Sequence, residues 1–162
     1  MFYPFDLRPL SADEQRAAAA EFRRIDENGN GELDAAELTN YLSANKPELR
    51  SFPRLIIHIF GDDRSIDWSR FYYSYRSFSA SPDDDENYIG RKIFNYIDKD
   101  GSGKIDSREF NHILDYIDAP KGQLQAFMMT GTLTYPQFKK KFYELLTMIW
   151  RSSGFQGMPA SI

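Results

Sequence analysis

The sequence predicts an all-α protein built from repeated helix-loop-helix units, and three observations support this prediction. First, two stretches rich in Asp, Asn and Gly, at 26–37 and 98–109, share one pattern of polar residues. Second, apolar residues at helical spacing flank both stretches. Third, a less complete copy of the same helix-loop-helix pattern follows each of these two stretches. We call the units with a full polar stretch strong and the incomplete copies weak. The order strong, weak, strong, weak predicts that neighbouring units pair, because one unit alone cannot bury its apolar face.

The first helix is predicted from its start signal. Ser11 and Glu14 have the spacing of a capping box, in which the two residues satisfy backbone N–H groups at a helix start. The alanines at 17–20 favour helix, and Phe22 and Ile25 begin an apolar face that ends at the first polar stretch.

Apolar residues at spacings of three and four mark the other helices. After the first polar stretch they are Leu38, Tyr41 and Leu42. Around the second they are Phe94, Ile97, Phe110, Ile113, Leu114 and Ile117. The final helix presents Phe138, Phe142, Leu145 and Ile149 on one face.

The composition excludes several functional classes. The chain has no cysteine, which rules out disulfides and thiolate sites and suits the cytoplasm. Its formal charge of -4 does not favour binding to the negatively charged backbone of nucleic acid, and no apolar run is long enough to indicate membrane contact. The two histidines, His58 and His112, have no catalytic motif around them, so we expect packing or surface histidines and no enzyme.

The first polar stretch has the spacing of a calcium loop. Calcium prefers six to eight oxygen ligands, and a twelve-residue loop supplies them from positions 1, 3, 5, 7, 9 and 12. These positions fall on Asp26, Asn28, Asn30, the carbonyl of Glu32, Asp34 through a water, and the bidentate carboxylate of Glu37. Gly31 stands at position 6, where the chain must turn sharply.

The second polar stretch repeats this spacing. Its predicted ligands are Asp98, Asp100, Ser102, the carbonyl of Lys104, Asp106 and Glu109. Ser102 replaces the commoner Asp or Asn at position 5, but its hydroxyl is still an oxygen donor. A single such stretch would be an ordinary surface turn, whereas two matched ones predict two Ca²⁺ ions.

On these loops the chain resembles the calmodulin and troponin C superfamily of EF-hand proteins over about residues 10–150. The resemblance implies four EF-hand helix-loop-helix units paired into two lobes, with short β-bridges between paired loops. Leu33 and Ile105, at position 8, would face Ile66 and Leu133 of the weak units. The chain is also similar to sorcin and grancalcin among penta-EF-hand proteins, because its first and third loops would bind calcium while its shortened second and fourth loops would only pair. A fifth hand is missing.

The weak units are expected to bind no calcium. Position 12 falls on Arg70 in the first and on Gln137 in the second, and each loop is too short to surround the ion.

The predicted organisation has three parts. The N-terminal lobe covers 1–80 with a degenerate hand at about 55–75, the C-terminal lobe covers 81–150 with a degenerate hand at about 123–147, and 151–162 forms a flexible tail. The residues at 79–82 should end a helix, and the acidic residues at 83–86 suit the first turn of the next one.

Two functional roles follow from calcium binding. In the favoured role the protein is a calmodulin-like sensor in signalling that exposes an apolar groove and binds a target protein helix or peptide. In the alternative it is a calcium buffer or structural protein without a calcium-driven opening, similar to penta-EF-hand proteins. Two bound ions would bring the formal charge from -4 to zero, which predicts calcium-dependent self-association.

Overall fold

The computed structural model of the chain describes residues 8–80, 83–84, 86–119, 121–125 and 131–152. Within these residues the fold is mostly helical, with two small antiparallel strand pairs, as predicted. The elements in chain order are α1 (Ala12–Ile25), β1 (Glu32–Leu33), α2 (Ala35–Asn45), α3 (Pro53–Phe60), β2 (Ile66–Asp67), α4 (Trp68–Ser79), α5 (Ile89–Ile97), β3 (Lys104–Asp106), α6 (Ser107–Ile113), α7 (Lys121–Gln125), β4 (Thr132–Thr134) and α8 (Tyr135–Ser152). Short 3₁₀ turns at Pro47–Leu49 and Leu114–Tyr116 follow α2 and α6.

The start of α1 confirms the predicted capping box. The Glu14 N–H donates to Ser11 Oγ at 3.1 Å, and the Ser11 N–H donates to Glu14 Oε1 at 3.0 Å. The apolar face of the helix is buried through Phe22 and Ile25, and the helix ends where the first polar stretch begins. The sequence signals at both ends of this helix are therefore correct.

The two strand pairs join a strong loop to the weak loop that follows it. Strands β1 and β2 place Leu33 opposite Ile66, and β3 and β4 place Ile105 opposite Leu133. These are the predicted position-8 pairs, and three of the four side chains are fully buried. Each strong loop is thus fixed at its centre by a ladder to its partner and by an apolar contact beneath it.

The segment between α4 and α5 corrects one prediction. Helix α4 ends at Ser79 as expected, but α5 begins only at Ile89, so the acidic residues at 83–86 are not its first turn. Asp84 instead accepts from the backbone N–H groups of Glu86 and Asn87 at 3.2 and 3.0 Å. Together with the side-chain hydrogen bond from Asn87, which is the largest cause, these bonds lower the pKa of Asp84. A side-chain turn has replaced the helix start.

The C-terminal helix is longer than predicted. Helix α8 continues through Ser152, so the first two residues of the predicted tail are helical. The remainder of that tail, and part of the predicted fourth unit at 126–130, lie outside the described residues. No helix in the described ranges has the length and apolar character needed to cross a membrane.

The N-terminal half of the structure, α1 to α4, packs directly against the C-terminal half, α5 to α8. The Asp118 N–H donates to the Ser51 carbonyl at 2.8 Å, and Arg54 Nε lies 2.7 Å from the Asp118 carboxylate. The rings of Phe52 and Phe142 meet edge to face with their centroids 5.8 Å apart. Buried apolar side chains from both halves form one continuous cluster, so the halves share a core.

Candidate metal centre

The first predicted loop begins with a carboxylate that faces inward. Asp26 follows the last residue of α1, and its Oδ2 accepts from the Gly31 N–H at 2.9 Å. Gly31 has a φ of 82°, in the left-handed region that glycine adopts at little cost. The other carboxylate oxygen, Oδ1, is buried and has no hydrogen-bond partner in the described part of the chain. Position 1 therefore has one desolvated carboxylate oxygen that makes no hydrogen bond to the described residues.

The amide side chains at positions 3 and 5 shape the loop backbone. Asn28 Oδ1 accepts from the Asn30 N–H at 3.1 Å, and Asn30 Oδ1 accepts from the Glu32 N–H at 3.0 Å. Both asparagines are exposed. These side-chain turns place three predicted ligand residues in consecutive contact along the loop.

Positions 9 and 12 form the start of α2. Asp34 Oδ1 accepts from the Glu37 N–H at 2.9 Å, and Glu37 Oε1 accepts from the Asp34 N–H at 3.1 Å, which is a capping box. Glu37 Oε2 lies 3.3 Å from the Asn28 backbone nitrogen, on the opposite side of the loop. The Glu37 side chain is thus buried against the loop that it is predicted to close.

The second predicted loop repeats the turn at position 6. Asp98 Oδ2 accepts from the Gly103 N–H at 2.8 Å, and Gly103 has a φ of 83°. The Ser102 hydroxyl oxygen lies 3.2 Å from Asp98 Oδ1 and 3.0 Å from the Lys104 carbonyl oxygen. Ser102 therefore connects the predicted ligands at positions 1, 5 and 7, which supports its role as the position-5 oxygen.

The remaining predicted ligands of this loop are also close to one another. The pKa of the Asp100 carboxyl is lowered, first by its hydrogen bond with the Asp98 side chain and then by the backbone N–H of Ser102. Asp106 and Glu109 exchange hydrogen bonds of 2.8 and 2.9 Å between side chain and backbone, as Asp34 and Glu37 do. The two loops thus have the same turn at position 6 and the same cap between positions 9 and 12.

The donor set of these loops fits a hard cation. Nowhere in the described ranges do three or more His, Cys, Asp or Glu side chains lie close enough together to hold a metal ion by themselves. The predicted ligand set differs in kind, because it also uses amide, hydroxyl and backbone carbonyl oxygens. The buried Oδ1 of Asp26 supports the fit, since a desolvated carboxylate oxygen is costly unless a cation or a donor compensates it.

The first weak loop is closed by its own side chains. Asp62 Oδ1 accepts from the backbone N–H groups of Ser65 and Arg64 at 2.9 and 3.0 Å. These hydrogen bonds lower the pKa of Asp62, and the one from Ser65 has the larger effect. At position 12, the Arg70 guanidinium lies 2.9 Å from Asp67 Oδ2. A positive side chain thus stands where a calcium loop has its bidentate carboxylate.

The second weak loop is described only from Gly131 onward. Gln137, at position 12, accepts through Oε1 from the Thr134 N–H at 2.9 Å. The amide therefore reproduces the helix cap that Glu37 and Glu109 make, without their charge. The residues at 126–130, which precede Gly131, lie outside the described residues.

His58 is the functional candidate that sequence reasoning did not identify. The sequence predicts an ordinary packing or surface histidine, and the structure shows a packed one, which lies between the two halves with ring contacts to Tyr96, His112 and Tyr116. One signal was available, because His58 interrupts the otherwise apolar stretch at 55–60. That signal alone could not show what the imidazole contacts.

Comparison with known families agrees with the loop geometry. A sequence model of the EF-hand domain pair matches residues 14–115, which is more than half of the chain and includes both strong loops. A comparison with curated proteins gave no match. The family match, the closed loops and the strand pairs lead to one conclusion. The chain belongs to the EF-hand family of calcium-binding proteins.

Proposed function

We propose that the chain binds two calcium ions, one in loop 26–37 and one in loop 98–109. The observation that carries this proposal is the geometry common to both loops, in which position 1 holds the glycine turn and position 12 caps the exiting helix. The first ion would be held by Asp26, Asn28, Asn30, Glu32, Asp34 and Glu37, and the second by Asp98, Asp100, Ser102, Lys104, Asp106 and Glu109. A bound ion supplies two positive charges that offset the loop carboxylates.

The proposed architecture consists of four EF-hand units in two lobes, with the joint near residue 80. The antiparallel pairs β1 with β2 and β3 with β4 support the pairing of units within each lobe. The shared apolar cluster supports lobes that are docked on each other rather than joined by an extended linker.

The role that this arrangement favours is a calcium-binding protein whose ions stabilise the docked form, as a buffer or structural protein. Among the described residues, Tyr73 and Tyr143 are the only exposed large apolar side chains, and the others are buried or half-buried. The sensor role that the sequence favours requires an apolar groove, and in this arrangement each half covers the apolar surface of the other. In this structure loops 26–37 and 98–109 are closed while the apolar surfaces of the two halves are buried against each other. This combination supports a calcium-bound form that remains compact.

The sensor role remains the second candidate, and one observation favours it. The contact between the halves includes apolar side chains, among them Phe52 against Phe142. If calcium separated the halves, this surface would become a groove for an amphipathic target helix.

A dye titration separates the two roles. A fluorescent dye that binds exposed apolar surface is added to the protein in calcium and in chelator, with the double variant Glu37→Gln/Glu109→Gln as the matched control. The favoured role predicts two bound ions and no increase in dye fluorescence. An increase that calcium causes in the natural sequence but not in the double variant would establish the sensor instead.

A further inference from the structure

The imidazole of His58 is held by hydrogen bonds at both ring nitrogens. It lies on α3 in the N-terminal half, and Nδ1 contacts the carboxylate of Asp63 in the loop that follows α3. Nε2 lies 3.0 Å from the hydroxyl of Tyr96 on α5. Because the Asp63 carboxylate can only accept, Nδ1 is the ring nitrogen that donates to it, and Nε2 faces Tyr96. The carboxylate thus orients the ring toward the C-terminal half.

The same ring stacks on a second element of that half. The rings of His58 and Tyr116 are nearly parallel, at 17°, with their centroids 3.9 Å apart. Tyr116 lies in the 3₁₀ turn that continues α6, and His112 on α6 meets both rings edge to face. Side-chain accessibility of His58 is only 13%, so these contacts enclose it almost completely.

These contacts link the two helices that flank loop 98–109. Helix α5 leads into the loop and α6 leads out of it, so the closed form of the loop requires one relative position of these helices. His58 touches the end of α5 through Tyr96 and the continuation of α6 through Tyr116. A cavity of about 550 Å³ beside it is lined by both His58 and Glu109, the predicted position-12 ligand.

We propose that His58 is a positioning residue that couples calcium binding in loop 98–109 to the docking of the N-terminal half. This inference rests on the proposed calcium site in that loop. His58 holds α5 and α6 in the arrangement in which the loop is closed, so the loop is already formed before the ion binds. A site that is formed only part of the time binds more weakly in proportion to that fraction, so loss of the ring contacts should weaken this site.

The test measures each calcium site alone. The Glu37→Gln background weakens loop 26–37, so the tight binding phase reports loop 98–109 alone. The Glu109→Gln background weakens loop 98–109 in the same way, and its tight phase reports loop 26–37. Replacing His58 by Ala should raise the Kd of loop 98–109 roughly tenfold, within the usual range for coupled sites, and should change the Kd of loop 26–37 by less than about twofold. His58→Phe keeps a ring for Tyr116 but loses both hydrogen bonds, and should give an intermediate value.

Arg54→Ala is the matched control, because Arg54 lies on the same helix and contacts the C-terminal half through Asp118. It should change the Kd of loop 98–109 by less than about threefold. An equal effect of Arg54→Ala and His58→Ala would overturn the assignment to His58, because general docking would then set the affinity. An unchanged Kd in His58→Ala would overturn the coupling itself.

Hydrogen exchange gives a readout that a purely structural role would not move. Coupling is reciprocal, so calcium in loop 98–109 should increase amide protection of α3 in the Glu37→Gln background but not in the His58→Ala version of it. If calcium increases the amide protection of α3 equally in both proteins, the coupling through His58 is contradicted. If the Glu37→Gln protein itself binds no calcium, the proposed site fails, and that result is distinct from either failure of the coupling.

Discussion

Replacing Glu37 by Gln removes a predicted calcium ligand while it preserves the local fold. The amide has nearly the same size and keeps one oxygen that can accept from the Asp34 N–H. It loses the negative charge and one of two oxygens. At a distance of about 2.5 Å in the dielectric of water, a unit charge and a doubly charged ion attract each other by about 3 kcal/mol. Glu37 is only 5% exposed, and charges attract each other more strongly away from water, so about 3 kcal/mol is a lower limit for this attraction.

This loss has a defined effect on stability. About 3 kcal/mol weakens the site roughly hundredfold. At about 1 mM calcium, a site with a Kd of ~10⁻⁶ M stabilises the fold by about 4 kcal/mol, and a hundredfold weaker site by about 1.4 kcal/mol. The variant should therefore unfold roughly 6–10 °C lower than the natural sequence in calcium.

Thermal unfolding in calcium and in chelator, followed by circular dichroism, measures this difference. In chelator the two proteins should unfold within about 2 °C of each other, because the amide keeps the helix cap. An equal loss in chelator and in calcium would refute the reasoning, since Glu37 would then act through packing. If the variant and the natural sequence unfold at the same temperature both in calcium and in chelator, Glu37 is not a ligand.

Other predictions address the weak loop, the charge and the pH. Gln137→Glu should leave the number of bound ions at two by calorimetry, because the loop is too short to surround the ion, and a third ion would contradict this. Loop 26–37 contains five carboxylates and no basic side chain, whereas 98–109 contains four carboxylates and three basic side chains, so titrations in rising salt should weaken the first site more steeply. Light scattering should show greater self-association with calcium, because two ions bring the formal charge from -4 to zero. The pKa of Glu14 is lowered by the Ser11 backbone N–H and then by Arg76, so the stability that this carboxylate adds is present at neutral pH and is lost as pH falls through the lowered pKa. Urea unfolding between about pH 5 and 3 should therefore depend less on pH in Glu14→Gln, and an equal dependence would contradict the assignment.

The features that the sequence predicted correctly depend on short spacings along the chain. The Ser11 cap needs only a partner three residues later, and the glycine turn at position 6 of each strong loop stands five residues after position 1. The strand pairs were predictable because position 8 is apolar in every unit, as at Leu33 and Ile66. In these cases the local pattern and the three-dimensional contact carry the same information.

The features that the sequence did not predict depend on competition or on distant contacts. The acidic residues before α5 suit a helix start, but the side chain of Asp84 forms a turn with the following backbone and delays the helix to Ile89. The contact of His58 with Tyr96 and Tyr116 joins elements far apart in the chain, and no local spacing encodes it. Docking of the two halves arises in the same way, from apolar faces that each half alone would present to a partner.

Isothermal titration calorimetry of the full chain with calcium tests the central claim most directly. The predicted result is two bound ions per chain, and dissociation constants of roughly 10⁻⁷ to 10⁻⁵ M would match the sensor range. Glu37→Gln and Glu109→Gln should each retain one ion in the affinity range of the natural sequence, and the double variant none in that range. Four ions in the natural sequence, or two ions retained by the double variant, would contradict the assignment of calcium to loops 26–37 and 98–109.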